Sequence, residues 1–572
     1  MKNLKKYITI VLVFAGFFSC DMLEPVDENR LTTDYVATDP ASAEGVLLHG
    51  YTGLINQYTF SEGGTDDAVN NQLDNGYKRM ATGELTAQYN PASRWNKYEE
   101  VFYLNKFINI VDGGTVQWNR DEEINQLFAE RMKGEALALR ALYHFYVLQA
   151  HAGVGVSGEL LGIPYFTEFI PSNGDFNRPR LSFEATVETI NSDFEEALQL
   201  LPMVYSDNEA DVPSRYASLD FGKYKTVNGS QYNLRISGTI VKALQARLAL
   251  FAASPSYLDG AGYYEKAANI AGEVLENIGG VAGLAADGLE FYTSDGGKDS
   301  DEMLWRASLG NNNSNLEERH FPPSRNGNGE INPTHNLAMA FPMQNGFPAT
   351  VENGFNPQEP YANRDPRLAK FLVLNGSSIG GGTINTGVGG GIDRTDSIPE
   401  QSTKTGYYLR KLLRPDVRIN DDGTRVEKKH FDVYFRYTEL FLIFAEAANE
   451  IGGPTYQENG MSAMDVIAAI RERAGITQPD EYLQTITTKE QMRELIRNER
   501  RLELCFEGHR FWDLRRWGIN LNETATGYFH DGSQYIELPN VEARNYPSYA
   551  TYLPIPYNEV LKFPELIQNE GW

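Results

Sequence analysis

Long runs of this chain place apolar residues at i, i+3, i+4 and i+7, a period that confines much of it to amphipathic helices. The run at 130–150, ERMKGEALALRALYHFYVLQA, is rich in Ala and Leu. Residues 183–201 follow, opened by Ser182 as an N-cap and closed by Pro202. Residues 238–253, 264–278, 437–450 and 462–474 repeat the pattern. Strand signals are short and fall around 303–309 and 407–413. The expected fold is therefore mainly α with a few short strands.

The helices come in pairs. In YEKAANIAGEVLE, Ala267 and Ala271 stand one turn apart, and small residues at that spacing let helices approach closely. The pattern resembles tetratricopeptide helix pairs, although long connections break any fixed period. Those connections are irregular: 203–236 is polar and Tyr-rich, and 307–365 is rich in Asn, Gly and Pro. Residues 375–391 hold eight Gly in 17 positions and are expected to be mobile.

A length of 572 residues corresponds to about four domains at ~150 residues each. With 41% hydrophobic and 22% charged residues, the chain is expected to fold rather than stay disordered. Its net charge of −26 opposes nucleic-acid backbones, so no nucleic-acid partner is expected. Two cysteines, Cys20 and Cys505, cannot make a disulfide framework for a chain this long.

The N-terminus reads as an address. Lys2, Lys5 and Lys6 precede an apolar run from Tyr7 to Phe18, too short to span a bilayer comfortably. Cys20 directly after this core resembles the lipidated residue of a bacterial lipoprotein, with residues 1–19 as signal peptide; an ordinary secretory signal with an incidental Cys is the competing reading. Residues 20–32 then form the lipidated cysteine and an acidic tether. Lipid on Cys20 would be the membrane anchor, because no other segment approaches 18 uncharged apolar residues.

Few motifs carry chemistry. GVGVSG at 153–158 fits the dinucleotide fingerprint but follows a helix rather than a strand, so a glycine turn is the simpler reading. Asp295, Asp299, Asp301 and Glu302 gather carboxylates of the kind calcium takes, yet they lack the EF-hand spacing and its glycine. A solvated loop is expected there, and no metal or cofactor is assigned.

The stretch NERRLELCFEGHRFWDLRRWG, 498–518, holds a full set of groups used in catalysis. Arg493, Arg497 and Arg501 repeat every four residues, as do Glu499, Glu503 and Glu507. Each set is a like-charge stripe on a helix and is unfavourable unless other elements supply opposite charges. A buried ion network follows, with Arg500–Glu503 and Asp513–Arg516 able to pair locally. Gly508 breaks the helix, and Cys505 among Leu504 and Phe506 reads as an inert core residue. Two catalytic alternatives compete with this. A Cys505–His509 pair is one. The other is a glycan hydrolase using Glu507 and Asp513, which requires both in an open cleft at ~5–10 Å.

That same stretch closely resembles the signature near the C-terminus of SusD/RagB-family surface lipoproteins. Residues 552–572, YLPIPYNEVLKFPELIQNEGW, resemble the family's closing segment, and the segments at 130–153, 361–376, 403–413 and 435–450 agree in order. The resemblance implies a scaffold of tetratricopeptide-like helix pairs with a loop-rich ligand face, as one continuous domain over 33–572 whose N-terminal and C-terminal family segments interleave. It implies a non-enzymatic protein, lipid-anchored on the outer-membrane surface beside a TonB-dependent, SusC-like transporter. Its ligand would be an oligosaccharide, or a peptide in some branches. The structural signature maps onto Glu499, Arg500, Glu503, Glu507, Gly508, Arg510, Asp513 and Arg516. By position, the ligand face would draw on 63–72, 90–100 and 310–330. There Asp66, Asp67, Asn70 and Asn311 would hydrogen-bond sugar hydroxyls, and Trp95 or Phe321 would stack on a ring. Core packing against Tyr98 and Phe102 is the competing role for Trp95. Trp305 is expected in the core.

Overall fold

The helices start where side chains can cap them. Ser182 accepts from the Ala185 backbone N–H at 3.1 Å, and both Ser462 and Thr488 form capping boxes, with Asp465 and Gln491. A computed structural model describes residues 33–295, 297 and 300–572. The signal segment 1–19, Cys20, the tether to residue 32 and Asp299 lie outside the described residues.

In chain order the principal helices are α1 (Pro40–Thr52), α2 (Tyr98–Asp112), α3 (Glu122–His151), α4 (Phe183–Leu200) and α5 (Gly238–Ala253). They continue as α6 (Ala261–Glu276), α7 (Tyr437–Gly452), α8 (Ala463–Ala474), α9 (Lys489–Glu503) and the short α10 (Arg510–Arg516). From α2 to α7 each helix packs on the next, and α7 then meets both α8 and α9. Ala267 and Ala271 of α6 are fully buried, which lets that helix lie between α5 and α7. One apolar core runs through the stack, from Leu47 to Leu504.

Between α6 and α7 the chain leaves the stack for some 160 residues and builds a second core around Phe321, Phe341, Tyr407, Tyr408 and Phe506. Short antiparallel pairs tie this insertion down: β1 (Ala68–Asn70) with β3 (Ile331–Pro333), and β2 (Met303–Arg306) with β4 (Val433–Arg436). A hairpin of β5 (Ala525–His530) and β6 (Tyr535–Glu542) follows α10. Trp305 of β2 is in the core, its indole N–H donating to the Leu234 carbonyl.

The Gly-rich segment is a correction. It folds into a tight hairpin, Ser378–Ile379 against Gly382–Thr383, because Ile379 and Ile384 are buried in the second core. The Asn375 side chain also accepts from the Thr386 N–H. After α3, Gly153–Val154 pairs with Leu160–Leu161, so GVGVSG is a turn leaving a helix. Among the described residues, no helix is long and apolar enough to cross a membrane.

Candidate functional site

Helix α9 presents Met492, Leu495, Ile496 and Leu502 to the interior together with Glu499 and Glu503. It ends at Leu504, and the chain reverses through Phe506 and Gly508, both at positive φ (64° and 80°). Glycine is required at 508 on two counts: the left-handed backbone, and the 2.2 Å that would separate a Cβ from Thr59 Oγ1. Its N–H donates to Glu62 Oε1 at 2.8 Å.

The carboxylate stripe meets its counter-charges from four other segments. Glu499 lies between Arg367 and Arg471, each at 2.8 Å. Glu503 lies between Arg367 and Arg473, each at 2.9 Å. Glu507 pairs with Lys411 at 2.6 Å and Arg436 at 2.7 Å. Arg500 turns to Asp513 at 2.8 Å instead of Glu503, and Asp513 also holds Arg516 at 2.8 Å, as its i,i+3 spacing suggests. On the arginine stripe, Arg493 meets Glu450, Arg501 meets Asp66 and Asp67, and Arg497 lies over the Trp517 ring.

Burial alone would raise these carboxyl groups, but the surrounding cations win. Glu503 is held at about 2 by Arg473 and Arg367, Glu507 at about 2 by Arg436 and Lys411, and Asp513 at about 2 by Arg500 and Arg516. A glycosidase acid must hold its proton near neutral pH. Neither Glu507 nor Asp513 does, and the hydrolase reading built on them is withdrawn. The Cys505–His509 pair fails too: burial pushes the thiol up to about 12, and the helix ends before Cys505.

Most of the expected ligand residues belong to the same scaffold, which corrects their assignment. Asp66 and Asp67 are buried, with Arg510 2.8 Å from Asp66 and Arg501 2.6 Å from Asp67. Burial would raise the Asp66 carboxyl, yet Arg501 and Arg510 hold it well below the usual carboxylate range. Asn70 is buried in β1, its side-chain oxygen accepting from the Gln72 N–H. Phe321 is fully buried in the second core and offers no stacking face. Trp95 is half-buried, edge-on to Tyr98 at 5.0 Å and to His151 at 5.4 Å. Asn311 is exposed on its loop. The carboxylate cluster is dispersed: Asp295 pairs with Arg414, Glu302 is buried against Arg436 and Arg473, and Asp301 is exposed. No group of metal-ligating side chains forms among the described residues.

Glu62 is an exception within this network. It is fully buried, its Oε2 has no partner among the described residues, and burial pushes its carboxyl up to about 7. A folded-state value above the ordinary 4.5 means the folded chain binds the extra proton, so stability falls as pH rises through 4.5 to 7. Glu62→Gln is therefore expected to melt higher than wild type at pH 8, with the gap narrowing towards pH 5. Thermal melts at the two pH values check this.

Arg500, Glu507, Gly508 and His509, with Trp512, Asp513 and Arg516 of α10, form one wall of a half-open cleft of about 110 Å³. Its other walls are residues 55–57 and Thr59, Arg94, Tyr146 and Gln149 of α3, Arg247 of α5, β4 and Glu439 of α7. Arg247 forms a bidentate pair with Glu439 at 2.8 and 2.6 Å. Burial lowers His509 to about 4, so the imidazole is neutral there. Arg94 lies in the segment 90–100, and its place beside Trp95 and Tyr98 is the sequence signal that marks it.

Two sequence profiles place this architecture. One, described as the SusD family, matches residues 292–572. The other, described as "Starch-binding associating with outer membrane", matches residues 41–221. The chain belongs to the SusD family. Among curated relatives of this SusD-like chain, SusD-like protein P25 of Formosa agariphila is 32% identical over 164 residues, 29% of this chain and 28% of that protein. SusD-like protein P38 of the same organism is 32% identical over 123 residues, 20% of this chain and 21% of its own length. The matches thus span about a quarter of these relatives. Solved structures share the fold throughout. A SusD-like protein of Bacteroides fragilis superimposes with a TM-score of 0.73 at 23% identity, covering 96% of this chain and 100% of that one. A SusD-like carbohydrate-binding protein of the same species gives 0.68 at 20% identity, covering 92% and 99%.

Proposed function

We propose that the chain captures oligosaccharides at the outer-membrane surface, held there by lipid on Cys20, and passes them to a TonB-dependent, SusC-like transporter without cleaving them. The observation that carries this reading is the match of residues 41–221 to a family described as starch-binding and associated with the outer membrane. The ion network supports the non-catalytic part, since it holds Glu507 and Asp513 ionised. Trp95 and Asn311 keep surface and stay as proposed contacts, with a loop-rich face as their setting.

The test is thermal melting of the chain lacking residues 1–20 against panels of oligosaccharides and of peptides. A bound ligand at 100 times its Kd adds about 2.7 kcal/mol to the folded state. At least one oligosaccharide is expected to raise the melting temperature saturably. Peptides raising it while no oligosaccharide does would overturn the reading.

A further inference from the structure

Three bulky apolar residues hold left-handed backbone within one small region. Phe60 has φ 47°, Leu412 69° and Phe506 64°, and all three side chains are buried in the second core. Such residues avoid this conformation, which persists only where the surrounding contacts over-determine it. Here the three segments are cross-linked next to the strained positions. The Lys411 ammonium, adjacent to Leu412, donates to the carbonyls of Glu503 and Cys505 and to Glu507 Oε1. Glu62, two residues after Phe60, accepts the Gly508 N–H at 2.8 Å. The turn around Phe506 is thus clamped from both sides.

One clamp is poorly satisfied. Glu62 is fully buried, and its Oε2 has no partner among the described residues. The hydroxyls of Tyr58, Thr59 and Ser61 on the same segment are also buried without partners. Buried polar groups are seldom left unmade, because each costs its full desolvation penalty, so a run of four marks a segment with hydrogen bonds to gain from water. The charges around Glu62 are already committed. Asp66 and Asp67 on its own segment face Arg501 of α9 and Arg510 of α10. Lys411 is held by Glu507. The turn adds the Cys505 thiol and a neutral His509, and residues 76–79 add the Tyr77 hydroxyl, none of which is a cation. A charged Glu62 therefore meets burial and the nearby Asp67 without a cation of its own, which is why its carboxyl stands at about 7.

We propose that Glu62 is the pin of a proton-dependent latch: while it keeps its proton, segment 58–62 stays closed on the turn 504–508, and when it loses the proton the two part locally. Parting lets water reach the carboxylate and the three hydroxyls, and it frees the left-handed residues on both sides. Thr59, Glu507 and Gly508 line the half-open cleft, so the latch is also part of its wall. Once open, the carboxyl returns to an ordinary 4.5, against about 7 when closed. Opening therefore releases a proton between those values and becomes easier as pH rises through them; above about 7 both forms are ionised and the dependence levels off. Nothing in the latch depends on which ligand the chain captures.

Hydrogen exchange of the chain lacking residues 1–20, from pH 5 to pH 8 and corrected for the intrinsic pH dependence of exchange, tests this. The amides to follow are those of Gly63, Glu507 and Gly508, with the amides of α3 as the reference for whole-fold opening. In wild type at pH 7 the latch amides are expected to exchange faster than those of α3. The ratio of their protection in Glu62→Gln to that in wild type is expected to rise by up to about tenfold per pH unit between pH 5 and 7 and then to level off. Comparing the two proteins cancels the other groups that titrate in this range, His509 among them. Glu62→Met, which cannot ionise either, gives the same pH reading should Glu62→Gln fail to fold. A ratio that does not change with pH, or latch amides as protected in wild type as those of α3 at every pH, overturns the latch.

Discussion

Arg367→Met is expected to cost about 3–5 kcal/mol of stability, the range for breaking a buried ion pair by removing one partner. Arg367 is the hub of the network: it lies 2.6 Å from Asp365, 2.8 Å from Glu499 and 2.9 Å from Glu503, all four side chains buried. Methionine retains most of the stem but leaves three carboxylates facing one another. Arg471 and Arg473 still neutralise part of that charge, through Glu499 and Glu503. Urea unfolding of wild type and variant measures the loss as a lower midpoint. Adding Asp365→Asn to the variant is expected to recover part of it, because Arg367 is the one ion-pair partner of Asp365 among the described residues and its charge is the one left unmatched. A midpoint within error of wild type would mean that the network does not hold the fold.

The second large effect is acid unfolding. Glu503 and Glu507 titrate at about 2 when folded against an ordinary 4.5, and Asp513 at about 2 against 3.8. In that interval the unfolded chain binds more protons than the folded one, so stability is complete above about pH 4.5 and is lost as pH falls towards 2. Each carboxyl displaced by about 2 units contributes roughly 3 kcal/mol. Several such groups lie in one network, so loss of near-ultraviolet circular dichroism is expected to begin below pH 4.5 and to be steep. Glu507→Gln removes one of these titrations and should flatten the profile from a lower starting stability. A wild-type signal unchanged down to pH 2 would contradict the assigned ionisation states.

How much of this was legible in the residues depended on distance along the chain. Some helix boundaries were, because capping acts within three residues: Ser182 caps as its sequence suggests, whereas the helix expected from 130 begins eight residues earlier, at Glu122 after the Asp121 cap. The like-charge stripes of α9 announced that partners must exist, but not which. The partners of Arg501 are Asp66 and Asp67, more than 430 positions away, and no local pattern links them. In isolation two adjacent aspartates in a loop look solvent-facing and suit sugar hydroxyls. Phe321 is equally ambiguous in its local sequence, since its burial comes from a core assembled by residues up to Tyr528. The Gly-rich hairpin was hidden by composition: eight glycines obscured Ile379 and Ile384, which anchor it. The cleft was the least legible feature, built from side chains of Asn56, Arg94, Gln149, Arg247 and Arg500 drawn from five separate segments.

The central claim is that residues 498–518 hold a scaffold together and do no chemistry on the ligand. It is tested most directly by incubating the chain lacking residues 1–20 with the tightest-binding oligosaccharide from the panel and separating the products by chromatography. The expected result is saturable binding with the oligosaccharide recovered at full length. Shortening of the oligosaccharide by wild type, abolished in a folded Glu507→Gln variant, would contradict it.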